Sequence, residues 1–283
     1  MTGTFLFDQA TDYSLAQLAD LVTAAFHGYA QPVNETPARL ARLVRTQGLD
    51  LAHSLVIRHN GQLVGVSFLG LRNTRAWVSA FGIVPAFRGR GLAKRLMERI
   101  VEQARTLGVH DVRLEVLVGN VAARRVYQHS GFRAQRDLVT MERAPWSSTL
   151  ERSTVLRVER VDVETAVRQA LILEQTPACW QREAPSLITG STSGLVVHAG
   201  PRIIGCALHS TRENAIALHH ICATSDQASA SVQAILAHLV GTATTAGRHV
   251  TVLNEPDPLG LVAALGSHGF RETMRQLELH LDL

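Results

Sequence analysis

The stretch that decides the fold is FGIVPAFRGRGLAKRLMERI, from Phe81 to Ile100. Its first residues read as the end of a strand, stopped by Pro85, which cannot donate to a ladder. From Gly91 the text turns helical. Leu92, Leu96, Ile100, Val101 and Ala104 share one face, and Gly108 closes the helix. Between strand and helix stands Arg88-Gly89-Arg90-Gly91. A loop in that position points successive backbone N–H groups outward. The glycines allow a tight turn and close approach of an anion. The helix adds the positive end of its dipole, and the arginines add full charges. The pattern is a cradle for a pyrophosphate. It lacks the Gly-Lys-Ser/Thr end of a P-loop and the spacing of the GxGxxG dinucleotide fingerprint.

Outward from this stretch, helices and strands alternate. FLFD (Phe5–Asp8) reads as an edge strand. Ser14 caps a helix carrying Leu15, Leu18, Leu21, Val22 and Ala25 inward. Thr36-Pro37 opens a second helix that Gly48 ends. Two strands follow around Asn60-Gly61, a hairpin dipeptide. Trp77 to Val84, Asp111 to Val118 and Phe132 to Glu142 read as further strands, with a helix from Val121 to His129. APWSSTLERST, from Ala144, reads as a linker. The pattern then recurs. Gly65 to Gly131 spans 66 residues and Gly205 to Gly269 spans 64, while Gly108 to Gly131 and Gly247 to Gly269 span 23 and 22. HSGF and SHGF close the two halves. Aligned features in one order favour an internal duplication.

The chain has 283 residues, 46% hydrophobic and 18% charged, enough for two domains with real cores. No apolar run reaches membrane-spanning length, and the acid-bearing N-terminus does not read as a signal peptide. Three cysteines without a CxxC pair exclude a disulfide scaffold. A cytoplasmic protein is expected. Through Leu150 there are 18 basic and 11 acidic residues, and after it 10 and 13. The front half therefore suits an anionic partner. No zinc-finger, RRM-like or basic-zipper signature is present, so nucleic acid is not the expected partner.

Arg88-Gly-Arg-Gly91-Leu-Ala93 resembles the Q/R-x-x-G-x-G/A signature of the GNAT superfamily, the Gcn5-related N-acetyltransferases. The run from Asn120 through Ala123 and Tyr127 to Gly131-Phe132 resembles that family's N-x-x-A-x-x-x-Y-x-x-x-G-F block. With the helices and hairpin before them, the resemblance spans residues 5 to 143. It implies a mixed α/β sheet with helices on both sides. The strands 77–84 and 111–118 are then expected to part at their ends, so that acetyl-CoA enters the gap like a strand. Backbone groups of Ile83 and Val84 are expected to pair with pantetheine. The amides of Gly89, Arg90, Gly91, Leu92 and Ala93 would hold the pyrophosphate, with Arg88 nearby. Asn120 would meet the pantetheine arm, and Arg124 or Arg125 the adenosine 3′-phosphate.

Acetyl transfer needs a deprotonated amine, a donor for the developing oxyanion and a proton for the leaving thiolate. The resemblance makes Tyr127 the general acid. Glu115, twelve residues earlier in LEV, is a candidate base by likeness to ribosomal-protein alanine acetyltransferases, with a water relay or an ion pair to Arg113 or Arg124 as alternatives. The Val84 N–H is a candidate oxyanion donor. Phe26, His27, Tyr29 and Trp77 are candidates for the acceptor's mouth of the gap.

In the second half ATSDQASAS stands where Arg-Gly-Arg-Gly stood, with Asp226 repelling phosphate, and no tyrosine follows. His219 and His220 face opposite ways on a strand and have no companion at ligand spacing, so no metal is expected. The sequence therefore predicts two tandem GNAT folds: residues 1–146, catalytic, and 147–283, degenerate. The acceptor expected is a primary amine of a small molecule or a peptide, with a homodimer allowed. A non-catalytic acyl-CoA-binding module is the alternative.

Overall fold

The structure is a computed structural model describing residues 4–145, 155–174, 176–212, 215–240, 248–256 and 260–283. It contains two compact units, one of residues 1–135 and 278–283, the other of residues 136–277. The boundary expected at 146/147, and the linker apart from Ala144 and Pro145, lie outside the described residues.

The first unit runs β1 (Phe5–Gln9), α1 (Leu15–Ala25), α2 (Pro37–Gln47), β2 (Leu49–His59), β3 (Gln62–Arg72), β4 (Arg75–Ile83), α3 (Leu92–Thr106), β5 (Asp111–Leu117) and α4 (Val121–His129). Each boundary has a local cause. Ser14 and Gln17 form a capping box at α1, the Gln17 N–H donating to Ser14 Oγ at 3.2 Å and the Ser14 N–H to Gln17 Oε1 at 2.9 Å. Thr36 caps α2, Pro37 takes its first position, and Gly48 ends it at φ 64°. Asn60 and Gly61 turn the hairpin at φ 50° and 81°. α3 buries Leu92, Leu96, Met97, Ile100, Val101 and Ala104, the expected stripe with Met97 added. β1 to β5 neighbour one another in chain order.

The next strand, β6 (Arg133–Arg143), corrects the sequence reading of 132–142 as the last strand of the front domain. From Arg136 onward it belongs to the second unit, pairing antiparallel with β11 (Val139 opposite Glu255, Met141 opposite Val252). The place beside β5 goes instead to the end of the chain's last strand, β12 (Arg271–Asp282). There the Leu283 N–H donates to the His110 carbonyl at 3.0 Å, and His280 Nε2 lies 3.0 Å from Asp111 Oδ1. Alternation shows that a segment is a strand but not which sheet it joins.

The second unit repeats the order: β7 (Leu156–Val161), α5 (Val163–Leu173), α6 (Ala184–Gly190), β8 (Ser193–Ala199), β9 (Arg202–Thr211), β10 (Ala215–Ala223), α7 (Ala228–Val240), β11 (His249–Pro256) and α8 (Leu261–Ser267). Its sheet runs β7-β8-β9-β10-β11-β6. Asp162 caps α5 through the Thr165 N–H at 2.8 Å. Its core gathers Leu195, Ile204, Ile235, Val250, Leu265 and Phe270. Among the described residues, no helix is long and apolar enough to cross a membrane.

Candidate active site

In the first unit β4 and β5 pair in parallel only from Arg75 and Asp111 to Trp77 and Arg113. Beyond that rung they separate. A bulge helps: between Val66/Gly82 and Phe68/Ser79 the register shifts, and Ala80 sits at φ 49°. The Val84 N–H donates to the Val64 carbonyl of β3 at 2.9 Å. This overturns its expected role as oxyanion donor. Alternation along the strand then turns the Ile83 N–H toward the gap, so Ile83 presents the amide that sequence reasoning assigned to its neighbour.

The loop after β4 has the cradle's form. Gly89 and Gly91 adopt φ 75° and 73°, and a Cβ on either would meet nothing within 4 Å. The left-handed backbone requires glycine here, and the space in front stays open. Among the described residues, no backbone carbonyl accepts from the amides of Gly89, Arg90, Gly91, Leu92 or Ala93. They sit at the start of α3, where helix dipole and exposed N–H groups act together.

Both arginine side chains lie back against the protein. Arg88 donates from Nε to the Ile83 carbonyl at 2.9 Å and from Nη2 to the Ala25 carbonyl at 2.9 Å. It thus ties the end of β4 to the last carbonyls of α1, where a cation is favoured. Arg90 donates to the Ala86 carbonyl at 3.3 Å and lies 5.3 Å from the Phe87 ring centroid. Arg124, offered for the 3′-phosphate, donates to the Val118 carbonyl at 3.1 Å.

Tyr127 on α4 is 5% exposed, with Phe81 and Phe132 rings at 5.6 and 6.1 Å. Burial, and secondly the nearby Tyr29, push its hydroxyl well above the usual phenol range, so it keeps its proton at neutral pH. Asn120 caps α4, accepting from the Ala123 N–H at 3.1 Å, while its Nδ2 donates to the Tyr29 hydroxyl at 3.3 Å. Tyr29, a candidate for the acceptor's mouth, also stacks edge-on with the Phe26 ring at 5.1 Å. Glu115 on β5 accepts from Trp77 Nε1 at 2.8 Å, next to the last paired rung. Arg113, one of its suggested partners, grips Asp111 at 2.8 Å. His27 lines an open hollow with Asp20, Thr23 and Val84.

Comparison with known proteins fits this geometry. The model of the acetyltransferase (GNAT) family matches residues 15–132. The whole chain is similar in fold to a GCN5-related N-acetyltransferase from Sphaerobacter thermophilus, with TM-score 0.73, 16% identity, and 98% of this chain and 95% of that one covered. It is similar also to a tandem GNAT protein from the clavulanic acid biosynthesis pathway, with TM-score 0.70, 14% identity, and 99% and 98% covered. Residues 15–132 thus carry the GNAT family match, and the likeness of the rest of the chain to GNAT proteins is one of fold. Its likeness to curated relatives is local. It is 33% identical to the uncharacterized N-acetyltransferase YycN of Bacillus subtilis over 57 residues, 20% of this chain and 36% of that protein. The match thus spans about a third of the relative's length.

The second unit also has a parted pair. β10 and β11 run together from Ala215 and His249 to Leu218 and Val252. Past that point a side chain fills the separation. Arg182 donates to the Ile221 carbonyl of β10 at 3.3 Å and to the Leu253 carbonyl of β11 at 3.1 Å. Its guanidinium lies 2.6 Å from Glu255 Oε2, and both residues are buried. About 30 Å³ of cavity remains, lined by His220, Cys222 and Pro256, which is room for water. The loop before α7 carries Asp226, 3.6 Å from Arg202, in place of a left-handed glycine pair. Counting back from Gly269-Phe270 as Tyr127 lies from Gly131-Phe132, the tyrosine's counterpart is Leu265, fully buried. His219 meets Ser210 Oγ at 2.8 Å, and among the described residues no three ligand groups could hold a metal. Nothing in the run around QREAP marks Arg182 in the sequence, since its partners lie on strands 39 and 71 residues away.

Proposed function

We propose that the first unit is an acetyl-CoA-dependent N-acetyltransferase in which a primary amine of a small molecule or peptide attacks directly within a ternary complex. The observation that carries this reading is the conjunction of a parted strand pair, an amide cradle at its outer end and a buried, protonated tyrosine beside it. Acetyl-CoA supplies the activated acyl group. The residues present fit it: five outward amides from Gly89 to Ala93 suit a pyrophosphate, and the freed edge of β4 suits the pantetheine amides.

The remaining chemistry falls to side chains. An amine with a pKa near 10.4 is mostly protonated at pH 7, a cost of about 4–5 kcal/mol that a base or desolvation must offset. Glu115, oriented by the Trp77 indole, is the candidate base, directly or through water. The Ile83 N–H, facing the gap, is the candidate donor to the oxygen that gathers charge. Tyr127 returns a proton to the leaving sulfur. Its raised pKa holds that proton until a thiolate develops nearby. The likeness to an N-acetyltransferase of B. subtilis supports nitrogen as the acceptor atom.

The test is thiol release from acetyl-CoA across a panel of amines, with Tyr127→Phe alongside. Loss of a positioned general acid should lower kcat by about 10²–10⁴ while CoA affinity persists. Unchanged turnover in Tyr127→Phe refutes the assignment. CoA binding by the wild-type protein with no turnover for any amine would instead identify a non-catalytic acyl-CoA-binding module.

A further inference from the structure

Beside the filled gap of the second unit lies a pair of thiols that acyl transfer does not use. Cys206 on β9 and Cys222 on β10 stand directly opposite in the antiparallel register. Their Sγ atoms are 3.0 Å apart, and both cysteines are free. Two residues farther along, the Thr224 N–H donates to the Ile204 carbonyl at 2.9 Å. That bond marks the rung as one of the hydrogen-bonded kind, so by alternation the cysteine rung is of that kind too, with a Cα separation of about 5.5 Å. This lies within the roughly 4.4–6.8 Å that a disulfide spans.

The two sulfurs differ in access. Cys206 is fully buried among Ala166, Val196 and Leu208. Its hydrogen bond with Cys222, and then burial, push its thiol up, so it keeps its proton. Cys222 is half-buried and lines the small cavity that Arg182 leaves in the gap. A space that admits water also admits a peroxide and excludes bulky reagents.

We propose that Cys222 and Cys206 form an oxidation site for hydrogen peroxide. The Cys222 sulfur attacks one peroxide oxygen and becomes a sulfenic acid as the O–O bond breaks and water leaves. The Cys206 thiol then attacks that sulfur. A Cys206–Cys222 disulfide forms, and the hydroxyl departs as a second water with the thiol's proton. Two electrons pass from the sulfurs to one peroxide, and a dithiol reductant reverses the change. The product staples β9 to β10 where that pair frames the gap.

The experiment treats the full-length folded protein with hydrogen peroxide, removes the excess, and counts thiols by alkylation after denaturation. The expected result is loss of two of the three thiols with the Cys179 thiol still open to alkylation, a mass lower by two hydrogens, and a peptide map joining the Cys206 and Cys222 segments. A dithiol should restore all three. Cys222→Ser should keep its fold by circular dichroism and form no cross-link, and Cys179→Ser should still form it. Three thiols surviving in the wild type, sulfur oxidation with added oxygen but no cross-link, or a link between other residues would each overturn the proposal.

Discussion

Replacing Gly91 by alanine separates a backbone requirement from a binding requirement. Gly91 sits at φ 73°, and a Cβ built on it meets nothing within 4 Å. The substitution therefore costs only the left-handed conformation, about 1–2 kcal/mol. Gly61, in the β2–β3 hairpin, provides a matched control at φ 81°, also with open space before it. Gly61→Ala should cost a similar amount by urea denaturation. Desulfo-CoA affinity should diverge. The new methyl on Gly91 enters the space where a pyrophosphate would approach the amides of Gly89 to Ala93. Losing one hydrogen bond to a charged group, worth about 1.5–3 kcal/mol, weakens binding roughly 10- to 150-fold. Calorimetry should show that loss in Gly91→Ala and unchanged affinity in Gly61→Ala. Equal affinities in both variants, with both folded, would refute the cradle.

Other expectations follow from the same contacts. Glu115→Gln keeps an acceptor for the Trp77 indole but removes a base; the rate should fall at neutral pH and recover in part as pH rises toward the amine's own pKa, and a uniform fall across pH would exclude Glu115 as base. Arg182→Met strands the buried Glu255 carboxylate and should destabilise by about 3–5 kcal/mol, with much of the loss regained in Arg182→Met/Glu255→Leu; a double variant no better than the single contradicts the pairing. His209 and His219 are each pushed down to about 4, burial being the largest cause. The unfolded chain then binds more protons below pH ~6.5, so stability should fall as pH drops from ~6.5 toward 4, by on the order of 3 kcal/mol per fully shifted histidine. His209→Gln and His219→Gln variants that keep the full acid sensitivity would show that these groups are not its source.

Much of this was legible in the residues because the signals are local. Ser14, Thr36, Pro37 and Gly48 act within one helical turn, and Asn60-Gly61 within one hairpin, so short words specify them. The glycine loop is read the same way, since φ near 75° has few tenants. What escaped reading depends on distant partners. Arg88 looked like a free charge, yet it donates to the Ala25 carbonyl of α1, 63 residues earlier. The direction of the Val84 N–H depends on its rung with Val64 and cannot be inferred from its own side chain. The exchange of β6 and the end of β12 escapes for the same reason, because two strands of similar character compete for equivalent places beside β5 and β11.

The two parted strand pairs are one structural problem with different answers. Separating strands strips hydrogen-bond partners from N–H and C=O groups, and each buried group left unsatisfied costs about 1–3 kcal/mol. Something must fill the opening. In the second unit the filling is covalently part of the chain: Arg182 takes a carbonyl from each strand, and Glu255 balances its charge. In the first unit Arg88 meets the Ile83 carbonyl from the loop side, and the Trp77–Glu115 bond lies at the inner end, beside the last paired rung. On the function proposed above CoA is the filler there, and it should stabilise the first unit by about 2.7 kcal/mol at a hundredfold excess over its Kd. Hydrogen exchange should locate that protection in β4, β5 and the 89–93 amides. Protection centred instead on β10 and β11 would mean that the arginine yields its place to the ligand, and the division of labour between the units would be the reverse of the one argued here.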